Sequence, residues 1–247
     1  MFRGNKTKLI PLPLSPDVVG SEATDLNDDG TALVISYDAN YNFNHWLYKK
    51  NKLTKLNFGS TISSAFAFDI NNEGIVVGEG RNNITGDEIE FRHDPSTGKT
   101  MTLNPLPTAN NSMIRGINNR GNILGALYNY YRYFHIGLYD KKGIFHTYVV
   151  EGTPEFPHSS YPWPATNFND KDLIVISYYD SDRTSYLLPK PGVALDLADL
   201  ITNLPVGRHP SYIADINNEG DMLGFDVDYD FNVLDKFLLK RIDATSP

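Results

Sequence analysis

The chain has 247 residues, of which 40% are hydrophobic and 12% aromatic, and its formal net charge is −8. A chain this apolar can fill a core, which excludes disorder, and an acidic chain without a Lys/Arg stripe is not expected to hold nucleic acid or an anionic membrane surface. It has no cysteine, which excludes disulfides, thiolate-bound zinc and thiol catalysis.

The opening Met1-Phe2-Arg3-Gly4-Asn5 has no apolar core region, so no signal peptide is expected in this sequence. No run approaches the roughly 18 apolar residues of a membrane span, so no membrane insertion is expected. Met1 suits both a native cytoplasmic start and the trimmed start of a secreted protein. Lys6-Thr7-Lys8-Leu9-Ile10 then reads as a strand, similar to the later Lys52-Leu53-Thr54-Lys55-Leu56.

From here one word recurs. Asp25-Leu26-Asn27-Asp28-Asp29-Gly30 is followed by Asp69-Ile70-Asn71-Asn72-Glu73-Gly74 and Gly116-Ile117-Asn118-Asn119-Arg120-Gly121. A degraded copy is Asn167-Phe168-Asn169-Asp170-Lys171-Asp172, and the last is Asp215-Ile216-Asn217-Asn218-Glu219-Gly220. The first Asn of each stands at 27, 71, 118, 169 and 217, steps of 44, 47, 51 and 48 residues. Asn and Gly accept the positive φ of tight hairpins, so each word predicts a turn between two strands. The strands predicted after the turns begin at Ala32, Ile75, Ile123, Leu173 and Met222. Third strands follow at His45-Trp46-Leu47-Tyr48, Glu90-Phe91-Arg92, Ile136 to Tyr139, Tyr186 to Leu188 and Phe237 to Leu239. Fourth strands follow at Leu53, Thr100 and Phe145.

Four strands in 40–50 residues is the size of a propeller blade. The expected fold is therefore all-β: a single domain over 1–247, forming a five-bladed β-propeller of four-stranded blades. The repeats run near 15–58, 59–106, 107–152, 153–204 and 205–247 plus 1–14. The fifth repeat ends before a fourth strand, and the N-terminal strand is expected to supply it and close the ring.

The pattern from Ile70 to Gly78 and from Ile216 to Gly224, with His45-Trp46-Leu47-Tyr48 as a later strand, resembles the bacterial HAF-type extracellular repeats. That resemblance implies a secreted or surface location, with a cytoplasmic one left open, and implies no activity. The five-fold count and blade length are also similar to tachylectin-type lectin propellers. The Trp-rich signature of those lectins is missing here, so none of their sugar-binding residues carries over.

The Asn turns are short and uniform, as a structural face would be. The opposite connections are long, varied and rich in rings, including Tyr37, Tyr41, Phe43, Tyr131, Tyr161, Trp163, Tyr178, His209 and Tyr212. Loops on a rigid scaffold are where binding concentrates. Aromatic faces beside Asn, Asp and Arg suit sugar rings, although packing is the default role of any single ring. The expected ligand-binding residues are Tyr41, Tyr131, Tyr161, Trp163, His209 and Tyr212. The expected role is recognition of carbohydrate or a protein surface by a monomer.

The alternative is a glycosidase- or lyase-like enzyme with carboxylates at a central channel. Such an enzyme would use unrepeated residues, and Glu22 and Arg115 on first strands are its candidates. The repeated Asp25, Asp69 and Asp215 read instead as turn caps. No cofactor is expected. Calcium is the one to consider: Asp25-x-Asn27-x-Asp29-Gly30 opens like a calcium loop, but the twelfth position holds Ser36, and Gly80 and Asp226 in two other copies. Asp226, Asp228 and Asp230 form a second acidic run that a calcium ion would suit.

Overall fold

The computed structural model describes residues 14, 16–106, 111–128, 134–150, 165–178, 184–206, 208–227 and 233–242. Among these, the chain is all-β. The first sheet is β1 (Val18–Leu26), β2 (Ala32–Asp38), β3 (Phe43–Lys49) and β4 (Lys52–Lys55). The second is β5 (Ile62–Ile70), β6 (Val76–Asn82), β7 (Glu88–Asp94) and β8 (Lys99–Thr102), and the third is β9 (Asn111–Ile117), β10 (Ile123–Tyr128), β11 (Phe134–Tyr139) and β12 (Phe145–Val150). The fourth is β13 (Ala165–Phe168), β14 (Ile174–Ser177), β15 (Ser185–Lys190) and β16 (Val193–Asp196), followed by the one-turn helix α1 (Leu197–Leu200). The fifth has β17 (Tyr212–Ile216), β18 (Met222–Val227) and β19 (Val233–Leu239). Strands lie in chain order within each sheet, and among the described residues four sheets have four strands and the fifth has three. The N-terminal strand expected near Lys8 lies outside the described residues.

Two compact units are present: Met1–Glu88 with His93–Thr100, and Ile89–Arg92 with Met101–Pro247. In the second unit, Leu124, Ile136 and Leu138 of the third sheet pack with Ile174, Ile176 and Leu188 of the fourth. Val175 of the fourth packs in turn with Ile213, Ile216 and Met222 of the fifth. Tyr178, read from the sequence as a loop ring, is fully buried in the first of these clusters.

Each recurring word forms the same hairpin. The backbone N–H of Gly30 donates to the carbonyl of Asn27, and Gly74, Gly121 and Gly220 do the same to Asn71, Asn118 and Asn217. The Asn side chain closes the loop a second time: its Oδ1 accepts from the N–H four residues on, at Thr31, Ile75, Asn122, Leu173 and Asp221. In the degraded copy Asp172 stands where the others have Gly, and it adopts the left-handed backbone itself, at φ 61°. Its carboxylate takes bonds from Asn118 Nδ2, Asn122 Nδ2 and Arg120, contacts that offset the backbone strain.

The same Asn joins neighbouring sheets. Asn27 Nδ2 donates to the carbonyl of Asn71 in the first unit. In the second, Asn118 Nδ2 donates to the carbonyl of Asn169, and Asn169 Nδ2 to that of Asn217. The next residue in the word repeats the pattern: Asp28 pairs with Asn72, Asn119 with Asp170, and Asp170 with Asn218.

First strands carry a bulge just before the word, at Ala23/Asp25, Ala67/Asp69 and Ile213/Asp215. A bulge leaves a backbone donor unpaired, and a buried donor must find a partner. Here the adjacent sheet supplies it. Ala67 N–H donates to His45 Nε2, and the equivalent Ile213 N–H donates to Ser177 Oγ. The later Gly of the word is set by the same crowding: a Cβ on Gly78 would meet the Phe66 carbonyl at 2.3 Å, and one on Gly224 the Tyr212 carbonyl at 2.4 Å.

These bonds predict unequal costs for equivalent changes. Asn169→Ala removes two local acceptances and the inter-sheet donation from a buried residue, and should cost about 2–4 kcal/mol in urea unfolding. Asn217→Ala, at an exposed residue with no following turn among the described residues, should cost about 1 kcal/mol. Equal losses would show that the inter-sheet bond contributes nothing.

Candidate functional site: an aromatic platform and two clefts

The ring cluster of the first unit starts from the β2–β3 connection, at the end of the sheet opposite the Asn turn. Asp38 organises this loop: its Oδ1 accepts the N–H groups of Asn40 and Asn42, and its Oδ2 accepts Asn42 Nδ2. The Tyr41 N–H donates to the Asp38 carbonyl, and Tyr41 takes a left-handed backbone, φ 59°. Such strain in a non-glycine residue persists only where the surroundings over-determine it. The effect is to present the Tyr41 ring, 73% exposed, stacked on Tyr37 at 5.9 Å and 8° between planes. Tyr37 lies over Gly20, where a Cβ would collide with its ring.

Two more rings extend the surface. Phe43 lies 5.9 Å from Tyr37 and 6.2 Å, edge-on, from Phe66. Phe43 is 47% exposed and Phe66 41%. Phe66 reaches this position because β5 is irregular between Ser63 and Phe66, with Ser64 at φ 49°. Beneath the platform His45 meets Phe66 and Phe58 edge-on, and Phe58 meets His93 in the same way. Burial pushes the His45 imidazole down to about 4 and the His93 imidazole also below its ordinary value. A neutral His45 is what the bond from Ala67 N–H requires.

Two clefts lie elsewhere. One, of about 540 Å³, belongs to the first unit at the Asn-turn end, lined by Lys49, Lys50 and Lys52, by Asn72 and Glu73, and by Asp94. The other, of about 260 Å³, belongs to the second unit, where Arg208, His209 and Asp226 face Leu204, Phe237 and Leu239.

The residues expected from sequence fall as follows. Tyr41 stands on the platform. His209 is exposed and lines the smaller cleft. Tyr212 is half-buried and stacks on Phe225 at 5.0 Å. Tyr131, Tyr161 and Trp163 lie outside the described residues. Glu22 is exposed on β1, opposite Ile35, and Arg115 is exposed on β9, at the irregularity opposite Leu124 and Gly125. Asp226 is buried, and its two carboxylate oxygens take Arg208 and Ser211; Asp228 and Asp230 lie outside the described residues. Among the described residues no group of three or more His, Asp or Glu could hold a metal ion. Asp69 and Asp215 each accept the N–H of the residue that follows, and Asp25 reaches the N–H of Ile70 in the adjacent sheet.

Residues 15–132 match the model of a family described as a protein of unknown function (DUF3466). No curated protein matches the chain. Its fold is similar to that of propeller-like solved structures. The acylaminoacyl peptidase of Pyrococcus horikoshii is 12% identical, with 92% of this chain and 39% of that one covered at a TM-score of 0.54. TolB from Acinetobacter baumannii is 11% identical, with 87% and 53% covered at 0.49. The lectin of Aleuria aurantia is 10% identical, with 92% and 78% covered at 0.42. The chain thus spans about half of TolB and less of the peptidase, and at 12% identity the likeness to the peptidase shows the fold alone. Among the described residues no helix is long and apolar enough to cross a membrane.

Phe66 and His45 had no signal in the sequence as site residues. Phe66 sits in a strand whose irregularity is not written in its residues, and His45 has no spacing partner because its partner is a backbone N–H of another sheet.

The depressed His45 pKa fixes a pH dependence. The folded chain holds this ring neutral, whereas the unfolded chain protonates it near 6.5. Stability is then fully present above about pH 6.5 and falls as the pH drops toward 4. His45→Gln keeps an acceptor for Ala67 and does not titrate. Urea midpoints measured from pH 7 to pH 4 should fall less steeply in this variant, and an unchanged slope would rule out His45 as the source.

Proposed function

We propose that this chain is a recognition module that binds carbohydrate through the platform of Tyr37, Tyr41, Phe43 and Phe66. The observation that carries this reading is the exposure of Tyr41, Phe43 and Phe66, joined through the half-buried Tyr37, with Tyr41 held in a left-handed backbone in the loop that Asp38 organises. Core rings are buried by packing; these are presented to solvent at a fixed angle. The CH face of a pyranose stacks on such a surface, and the amides of Asn40 and Asn42 beside Tyr41 suit its hydroxyls. His209 and Tyr212 belong to the second unit and form no part of this platform. We extend the reading to a monomer in a secreted or surface location, which the likeness of the repeat to extracellular repeats supports.

The scaffold we propose is one domain over 1–247, a five-bladed β-propeller whose blades are the five sheets. Residues near Lys6 to Ile10 would pair with β19 as its missing fourth strand and close the ring. One feature supports closure: among the described residues the third strand of the fifth sheet is an edge, with Val233, Leu234 and Leu238 exposed.

A glycan array followed by titration calorimetry tests the function. Tyr41→Ala should weaken glycan binding at least tenfold, about 1.4 kcal/mol, with the melting temperature held within a few degrees. A chain that binds no glycan, or a variant that binds as well as the parent, would defeat the proposal. Deletion of residues 1–12 tests the scaffold: its melting temperature should fall sharply, and a truncated chain that melts like the whole one would refute closure.

A further inference from the structure

The lysine-lined cleft of the first unit lies at the other end of the first sheet from the platform. Its lining combines the β1–β2 turn (Asp29, Thr31), the β3–β4 hairpin (Lys49, Lys50, Lys52, Thr54) and two turns of the second sheet (Asn72 to Gly74 and Asp94 to Ser96). Its lining holds three lysines and three carboxylates, those of Asp29, Glu73 and Asp94. Lys49 pairs with Asp29, which also accepts the hydroxyl of Thr31. Asp94 accepts both the N–H and the hydroxyl of Ser96. Lys50 and Lys52 have no carboxylate partner among the described residues, and they leave two ammonium groups at the rim of a hydroxyl-bearing cleft.

A second observation concerns the backbone. In the second, third and fourth sheets, the hairpin between third and fourth strands places Gly98, Gly143 and Gly192 at positive φ. The first sheet places Lys50 and Asn51 there instead, at φ 48° and 65°. Asn tolerates this conformation and Lys does not favour it. The Tyr48 hydroxyl bonds the Asn51 side chain and steadies the turn. Asn51, just before the fourth strand, stands where the sister hairpins use glycine, and Lys50 before it is left-handed as well, because Lys49 pairs with Lys52 and a two-residue hairpin takes positive φ at both loop positions.

We infer that this cleft binds a small polyol carrying one oxyanion, such as a uronate or a sugar phosphate, with Lys50 and Lys52 holding the anion and Thr31, Thr54 and Ser96 facing the hydroxyls. Two point charges suit one compact anion, and the acidic remainder of the chain discourages a long polyanion. The site is independent of the aromatic platform.

Calorimetric titration of the full chain at low salt tests it, with glucuronate, glucose 6-phosphate, glucose and inorganic phosphate as probes. At least one anionic sugar should bind, tenfold or more tightly than glucose, and which one binds identifies the anion. Lys52→Gln should weaken that binding at least fivefold. Lys50→Gly should weaken it too while the melting temperature holds or rises, because glycine relieves the turn; a merely structural lysine would not separate the two. Tyr41→Ala should leave it unchanged, which distinguishes this site from the platform. Glucose binding equal to that of the anionic sugars, binding by neither of them, or lysine variants that bind like the parent would overturn the inference. Inorganic phosphate binding as tightly as glucose 6-phosphate would overturn the polyol part of it.

Discussion

The structure depends on a single asparagine that bonds in two directions. In each repeat its carbonyl and Oδ1 close a hairpin, and at Asn27, Asn118 and Asn169 its Nδ2 donates to the carbonyl of the equivalent Asn in the next sheet. A side chain with one acceptor and one donor end is needed for both tasks. Aspartate would keep the hairpin and lose the donor, and serine is too short to reach a neighbouring turn. Hydrophobic burial holds the sheets together without direction; the asparagine bonds fix which turn meets which.

The bulges show the same economy at the backbone. A bulge frees a main-chain donor in the first strand, and the neighbouring sheet answers with whatever polar side chain it has there: a histidine for Ala67, a serine for Ile213. The geometric demand is shared between repeats and the residue that meets it is not. The His45 choice has a consequence for the platform, because the ring that accepts from Ala67 also supports Phe66 edge-on. Scaffold and candidate site therefore share one titratable side chain.

Left-handed backbone marks the places where the repeats diverge from one another. Asp172 replaces a glycine and repays the strain in bonds to the third sheet. Tyr41 and Lys50 are also left-handed, and each sits at one end of the first sheet, beside a surface open to ligand. The uniform parts of the repeat build the frame, and the strained, unrepeated residues carry what distinguishes one sheet from its copies.

The sequence alone determined the hairpins, their number and the strand order inside each repeat. Asn-Asn-x-Gly words act locally, through φ preferences and bonds spanning four residues, so no distant contact was needed to read them. It also placed Tyr41 in a connection, because the stretch between β2 and β3 departs from the repeat, and it pointed to a last repeat that stops at its third strand; Tyr37, Phe43 and Tyr212, read as loop rings, lie inside β2, β3 and β17. It did not expose the asparagine bonds between sheets, since a donor pointing 44 residues ahead leaves no local trace. Nor could it separate Tyr41 from Tyr178: both follow a second strand, yet one ring is presented to solvent and the other fully buried. That choice, like the arrival of Phe66 beside Phe43, rests on packing between sheets, which the tertiary structure alone decides.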